Sequence, residues 1–145
     1  MAAQVNVPTW DVGCWKEGLA VAAVAANIGL VADTGGDRGV KTPANGANTT
    51  MHNFKGVAMK AAAAGEKVAL ARTPGDRVVM KANGAITRGD VVFLTSADAG
   101  KEGYAKTYTN FGADGVVFII GVAEITAADG EYVEVTLQGL FEKAA

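Results

Sequence analysis

From Tyr132 to Gln138 the chain alternates without a break. Val133, Val135 and Leu137 fall on one side of an extended backbone, and Tyr132, Glu134, Thr136 and Gln138 on the other. Period two with a single apolar face predicts a half-buried β-strand. Residues 67–71 repeat the pattern more weakly, with Val68 and Leu70 inward and Lys67, Ala69 and Ala71 outward. Arg77 to Leu94 reads as a hairpin about Asn83-Gly84, the pair favoured in type I′ turns. Val78, Met80, Ala82, Ala85 and Thr87 share one face of it, and Val79, Lys81, Ile86 and Arg88 a wetter one. Gly75-Asp76 and Gly89-Asp90 each precede a β run. Val116 to Val122 is continuously apolar, which predicts a strand buried on both faces. Gly18 to Ala32 gives one strand, or two with a turn at Ala26-Asn27-Ile28-Gly29, although its alanines also suit a helix.

One stretch is written twice. Gly56-Val57-Ala58 leads through Ala62-Ala63 to Gly65-Glu66 and Val68; Gly121-Val122-Ala123 leads through Ala127-Ala128 to Gly130-Glu131 and Val133. The offset is constant at 65 residues (121 − 56) and needs no gap. Each copy, 56–70 and 121–135, predicts strand, small-residue turn and strand, with glycine supplying the positive φ of the turn. Two copies are too few for a solenoid, so the reading is a local device used twice in one domain.

The remaining segments are less periodic. Residues 1–17 form an N-terminal arm whose large apolar groups, Val5, Val7, Pro8, Trp10 and Trp15, either pack as an edge strand or dock on a neighbouring chain; tryptophan is enriched at interface hot spots. Residues 18–145 form a single β domain. Its 33–50 stretch, rich in Gly, Asn, Thr and Asp, reads as a long surface loop that makes contacts, with Arg38, Lys41 and Asn45 as its candidate contact residues. The fold class is all-β: a small β-sandwich or barrel-like domain of short antiparallel strands.

Composition sharpens this picture. The 145 residues include 19 glycines and 3 prolines, and Val and Gly recur at turn spacing. A formal net charge of −2 argues against a general nucleic-acid partner and against attraction to acidic membranes. The apolar run from Leu19 to Ala32 is broken by Asn27 and Gly29 and falls short of the ~18 residues of a span. Cys14 is the single cysteine, so no intrachain disulfide forms.

Reactive constellations are missing from the sequence. Ser96 and His52 are the single serine and histidine, and no nucleophile elbow surrounds Ser96. His52 and Cys14 lack companions at zinc spacing. Asp33 and Asp37 lack the calcium-loop pattern, and Gly36 to Lys41 lacks the phosphate-loop spacing. Arg88-Gly89-Asp90 reads as strand end and turn. Val57-Ala58-Met59-Lys60-Ala61 is similar to the lysine turn of biotinyl carrier domains, but Gly75-Asp76-Arg77-Val78 follows that turn instead of preceding it, so Lys60 is an exposed loop lysine. The expectation is a protein that is not an enzyme, with no cofactor and no metal.

The order Gly-Val-Ala, Ala-Ala-x-Gly-Glu-x-Val, Gly-Asp-x-Val, Asn-Gly and a closing Val-x-Val-x-Leu strand, over roughly Phe54 to Leu140, resembles the capsid cement or head-decoration family of tailed bacteriophages. The longer N-terminal third departs from that pattern. The resemblance implies a virion protein, made in the host cytoplasm, on the outer surface of the head. It would bridge subunits of the major capsid protein, commonly as a homotrimer, with no nucleic acid or membrane as partner. The alternative is a carbohydrate-binding or host-adhesion module on the virion, with a shallow site at Tyr104, Tyr108 and Phe111.

Overall fold

The structure is a computed structural model that describes residues 17–33, 38–46, 53–109 and 117–143; the side chains of 117 and 139–143 lie outside that description. Among these residues ten strands follow one another: β1 (Glu17–Ala20), β2 (Gly29–Ala32), β3 (Gly39–Lys41), β4 (Phe54–Ala58), β5 (Lys67–Ala71), β6 (Arg77–Lys81), β7 (Val91–Thr95), β8 (Tyr104–Thr107), β9 (Val117–Ala123) and β10 (Tyr132–Lys143). The protein is all-β. The first five close into a barrel in the order β1-β3-β2-β4-β5, and the second five form a sheet in the order β6-β10-β9-β7-β8. Ala82 bridges Ala105 in parallel across the free edges of that sheet, bringing it round almost to closure.

The two halves are the same object. Ala82–Ala105 is the counterpart of the parallel Ala20–Val40 pair that closes the first barrel. Gly56 faces Leu30 and Gly121 faces Val92, and a bulge follows in both ladders. Ala58 pairs with Leu70, and Ala123 with Val135. The 65-residue offset holds from β3 onward. Across β1 and β2 it drops to 62 (92 − 30), because Leu30 and Val40 are ten residues apart and their counterparts Val92 and Ala105 are thirteen apart. The repeated stretch is therefore a fragment of a duplicated five-stranded unit.

Turn chemistry explains why the chain reverses where it does. Ala63–Glu66, Thr73–Asp76, Thr87–Asp90 and Ala128–Glu131 each close with an amide donating to the carbonyl three residues earlier, at 2.9–3.1 Å. Their third residue is a glycine with φ between 80° and 94°, the geometry of a type II turn. In three of them the acidic side chain also accepts from the first amide (Ala63, Thr73 or Thr87) at 2.8–3.1 Å. The Arg88-Gly89-Asp90 tripeptide lies in one of these turns, and its Asp90 carboxylate also accepts from the Thr107 hydroxyl.

Several strand expectations need correction. Asn83-Gly84 does not join a hairpin: β6 pairs with β10, and β7 pairs with β8 and β9. Ile86, placed on the wetter face by sequence, is fully buried, bridging Ala127. Ala71, placed outward, is buried against the second half. Within the supposed 33–50 loop, Gly39–Lys41 is strand β3, seated between β1 and β2.

Two cores result. Val24, Ile28, Leu30, Val40, Val68 and Leu70 fill the first barrel, packed also by Tyr104 from the second half. Met80, Ile86, Val92, Ile120, Val135 and Leu137 fill the second. Val31, Phe54, Val57 and Ala71 on the outer wall of the first barrel join that second core. Burying each large side chain contributes about 1.5–3 kcal/mol, so the join between the halves is held as a core is.

Candidate interaction surface

Each five-stranded unit has an end at which three strands begin and two finish. In the first barrel these are the starts of β1, β3 and β4 and the ends of β2 and β5. They bring Glu17, Asp33, Arg38, Lys55 and Arg72 around a groove of about 310 Å³ whose floor reaches Leu70. The residues are far apart in sequence and meet because strands alternate direction around the barrel. Asp33 accepts an ion pair from Lys41 at 3.1 Å. Arg38 is exposed and holds φ at 59°, a left-handed conformation that strains a residue carrying Cβ. Lys67 lies close by, sharing a second depression with Glu17 and Arg38.

The same end of the second unit is closed. Gly103 stands where Arg38 stands, Ile120 where Lys55 stands and Leu137 where Arg72 stands, and both apolar residues are buried. That end rests on the first barrel. The Gly29 amide donates to the Gly103 carbonyl at 2.8 Å; at the far end of β6 the Lys81 amide also donates to the Asn27 carbonyl, at 3.0 Å. Phe54 packs against Phe118 with ring centroids 6.3 Å apart. Among the described residues, one end is thus an internal joint and its twin a charged rim.

Of the contact residues proposed from sequence, Arg38 lies in the groove and Lys41 pairs with its neighbour Asp33. Asn45 turns elsewhere: its side-chain amide donates to the Ser96 carbonyl at 3.1 Å, tying the segment after β3 to the end of β7. Val5, Val7, Pro8, Trp10 and Trp15 lie outside the described residues, as do Cys14, His52 and Phe111. Sequence reasoning missed Lys55 and Arg72. Their signal was a cation at a position where the other copy of the repeat carries Ile120 or Leu137.

Other chemistry is sparse. Ser96 is fully buried, its hydroxyl 3.5 Å from the Gly46 carbonyl. Lys60 is exposed. Tyr104 packs on the first core, and Tyr108 meets Phe93 edge-on at 6.3 Å. Among the described residues no three His, Cys, Asp or Glu side chains gather as a metal site would require, and no helix is long and apolar enough to cross a membrane.

The seam between β6 and β8 carries a cluster of paired charges. Lys101 Nζ lies 2.9 Å from Asp129 Oδ1, and the Gly84 amide donates to that same oxygen at 2.7 Å. The hydrogen bond from Lys101, then that from Gly84, holds the Asp129 carboxyl below its ordinary range. The same pairing raises Lys101. Asn83 donates to Asp98 at 2.7 Å beside them.

No protein-family model matches the chain, and no curated protein matches it in sequence. Among solved structures it is similar to the N base of the head fiber protein gp8.5 of bacteriophage phi29, at 20% identity with a TM-score of 0.57, over 84% of this chain and 91% of that one. The two share a fold.

Proposed function

We propose that this chain is a structural protein of a tailed-bacteriophage virion that docks on the outer surface of the assembled head and stabilises it by bridging major capsid subunits. The observation that carries the reading is the fold shared with a head-fiber base over 84% of the chain, joined to the motif order running from Phe54 to Leu140. The physics of the task agrees. A protein bound across a seam between shell subunits stabilises the assembled state by mass action. A homotrimer would present one patch three times and convert weak contacts into avidity. No catalytic group is required. The arm with Trp10 and Trp15, together with Arg38 and Lys41, supplies the contact residues of this reading.

The test is addition of the purified protein to expanded, undecorated heads. Saturable uptake and increased resistance of the heads to heat are expected. Heads that take up none, or that gain no heat resistance at saturation, overturn the reading. The named neighbour favours a second reading, in which the chain is the base of a projecting fiber. Electron microscopy of saturated heads separates the two: a fiber base leaves density standing off the shell, and a cement protein lies flat across it.

A further inference from the structure

The duplicated fold supplies its own control. At one end of one unit, glycine and two buried aliphatic residues are Gly103, Ile120 and Leu137; in the other unit the same positions are Arg38, Lys55 and Arg72. Folding explains the first set, because it closes the joint between the halves. The second set is not buried among the described residues: Arg38 and Lys55 are exposed and Arg72 is half-buried. Arg38 is held at φ 59° where its twin is glycine, and strain of this kind concentrates at sites of function. Although the chain carries a formal net charge of −2, its groove sets three cations against Glu17 and Asp33, and Lys41 already engages Asp33.

We propose that this groove receives an acidic peptide segment of the shell protein on which the chain docks, an inference that rests on the head-docking reading. The segment's carboxylates face Arg38, Lys55 and Arg72, whose two guanidinium forks match carboxylate geometry. An aliphatic side chain of the segment reaches the Leu70 floor. Glu17, exposed on the rim, disfavours a polyphosphate or a nucleic acid, which is anionic along its whole length. A peptide can place a backbone amide or a neutral side chain there instead. The volume, about 310 Å³, lies at the low end of ligand pockets and suits a few side chains.

The experiment measures docking on expanded, undecorated heads at fixed salt for the natural sequence, for Lys55→Glu/Arg72→Glu and for Arg38→Gly. A parallel NMR titration uses the peptide acetyl-Glu-Leu-Glu-Leu-Glu-amide and its counterpart with lysine in place of glutamate. Charge reversal is expected to weaken docking tenfold or more. Arg38→Gly is expected to weaken it at least threefold without lowering the melting temperature, which guards against a folding artefact in the charge-reversed chain. The acidic peptide is expected to shift resonances around Leu70, and the lysine peptide none. Unchanged docking by both variants, or no shift with the acidic peptide, overturns the groove while head docking by the natural sequence stands. Heads that bind no natural protein overturn the head-docking reading, and with it the shell as the source of the segment.

Discussion

The carbonyl of Gly103 accepts from the amide of Gly29 at 2.8 Å, and this contact between two glycines brings the second unit close against the first barrel. A Cβ placed on Gly103 would stand 2.5 Å from the Gly29 oxygen, and the residue also holds φ at 84°. Gly84 shares that φ but has nothing within 4 Å of its own Cβ position. The two substitutions therefore separate strain from contact. Gly84→Ala should cost about 1–2 kcal/mol from the left-handed backbone alone, and Gly103→Ala about 1–3 kcal/mol more from the steric conflict. Urea denaturation of both variants checks this, and equal midpoints would show that the joint yields freely.

Ile86 tests the revised topology. In a hairpin turning at Asn83-Gly84 it would sit on the wetter face, and truncation would cost little. It is instead fully buried and bridged to Ala127. Ile86→Ala should destabilise by about 2–5 kcal/mol, as buried Ile truncations do. Equilibrium unfolding decides; a loss under 0.5 kcal/mol, roughly the effect of a surface change, would return the residue to solvent.

What the sequence revealed and concealed follows from range. Alternation in 132–138 and the glycine-acid turns are local, and they are where sequence placed them. The hairpin failed because Asn83-Gly84 is a local preference, whereas β6 finds its partner β10 about fifty residues later. The repeat was visible only where one offset holds; β1 and β2 follow the other offset, and an ungapped comparison stops before them. The groove was least legible. Glu17, Arg38, Lys55 and Arg72 lie on four separate strands or strand ends, and no spacing motif links them before the barrel closes.

If the N-terminal segment is a docking arm, Trp10→Ala or removal of residues 1–16 should weaken uptake by heads more than it lowers the melting temperature. Trp truncations at interface centres cost about 2 kcal/mol or more of binding, roughly thirtyfold in affinity. Parallel losses in uptake and in a thermal melt would instead make those residues part of the folded core.

The Lys101–Asp129 pair predicts a pH response of definite sign. Asp129 is lowered in the folded state, so its contribution is present above the unfolded carboxylate value and fades as pH falls through the folded one. Lys101 is raised, so its contribution is complete below its unfolded value of 10.5 and fades as pH rises through the folded one. The pair therefore supports the β6–β8 seam across the neutral range and weakens at both extremes. An NMR titration of the Asp129 carboxyl should give a midpoint below 3.8, moving up towards that value in Lys101→Met. The same midpoint in both proteins would mean that the pair does not form in solution.

Exchanging residues between the twin positions tests whether the two barrel ends have parted in role. Ile120 is fully buried in the second core, so Ile120→Lys places an ammonium among aliphatic side chains. The cost should be about 3–5 kcal/mol, enough to unfold a marginal domain. Lys55 is exposed on the open rim, so Lys55→Ile should change stability by no more than about 0.5 kcal/mol. The asymmetry is the informative quantity, because duplication gives both residues the same strand, register and bulge. Similar costs for the two exchanges in equilibrium unfolding would mean that the first barrel's end is also closed in solution. The expected large difference would place the cations of that end at the surface.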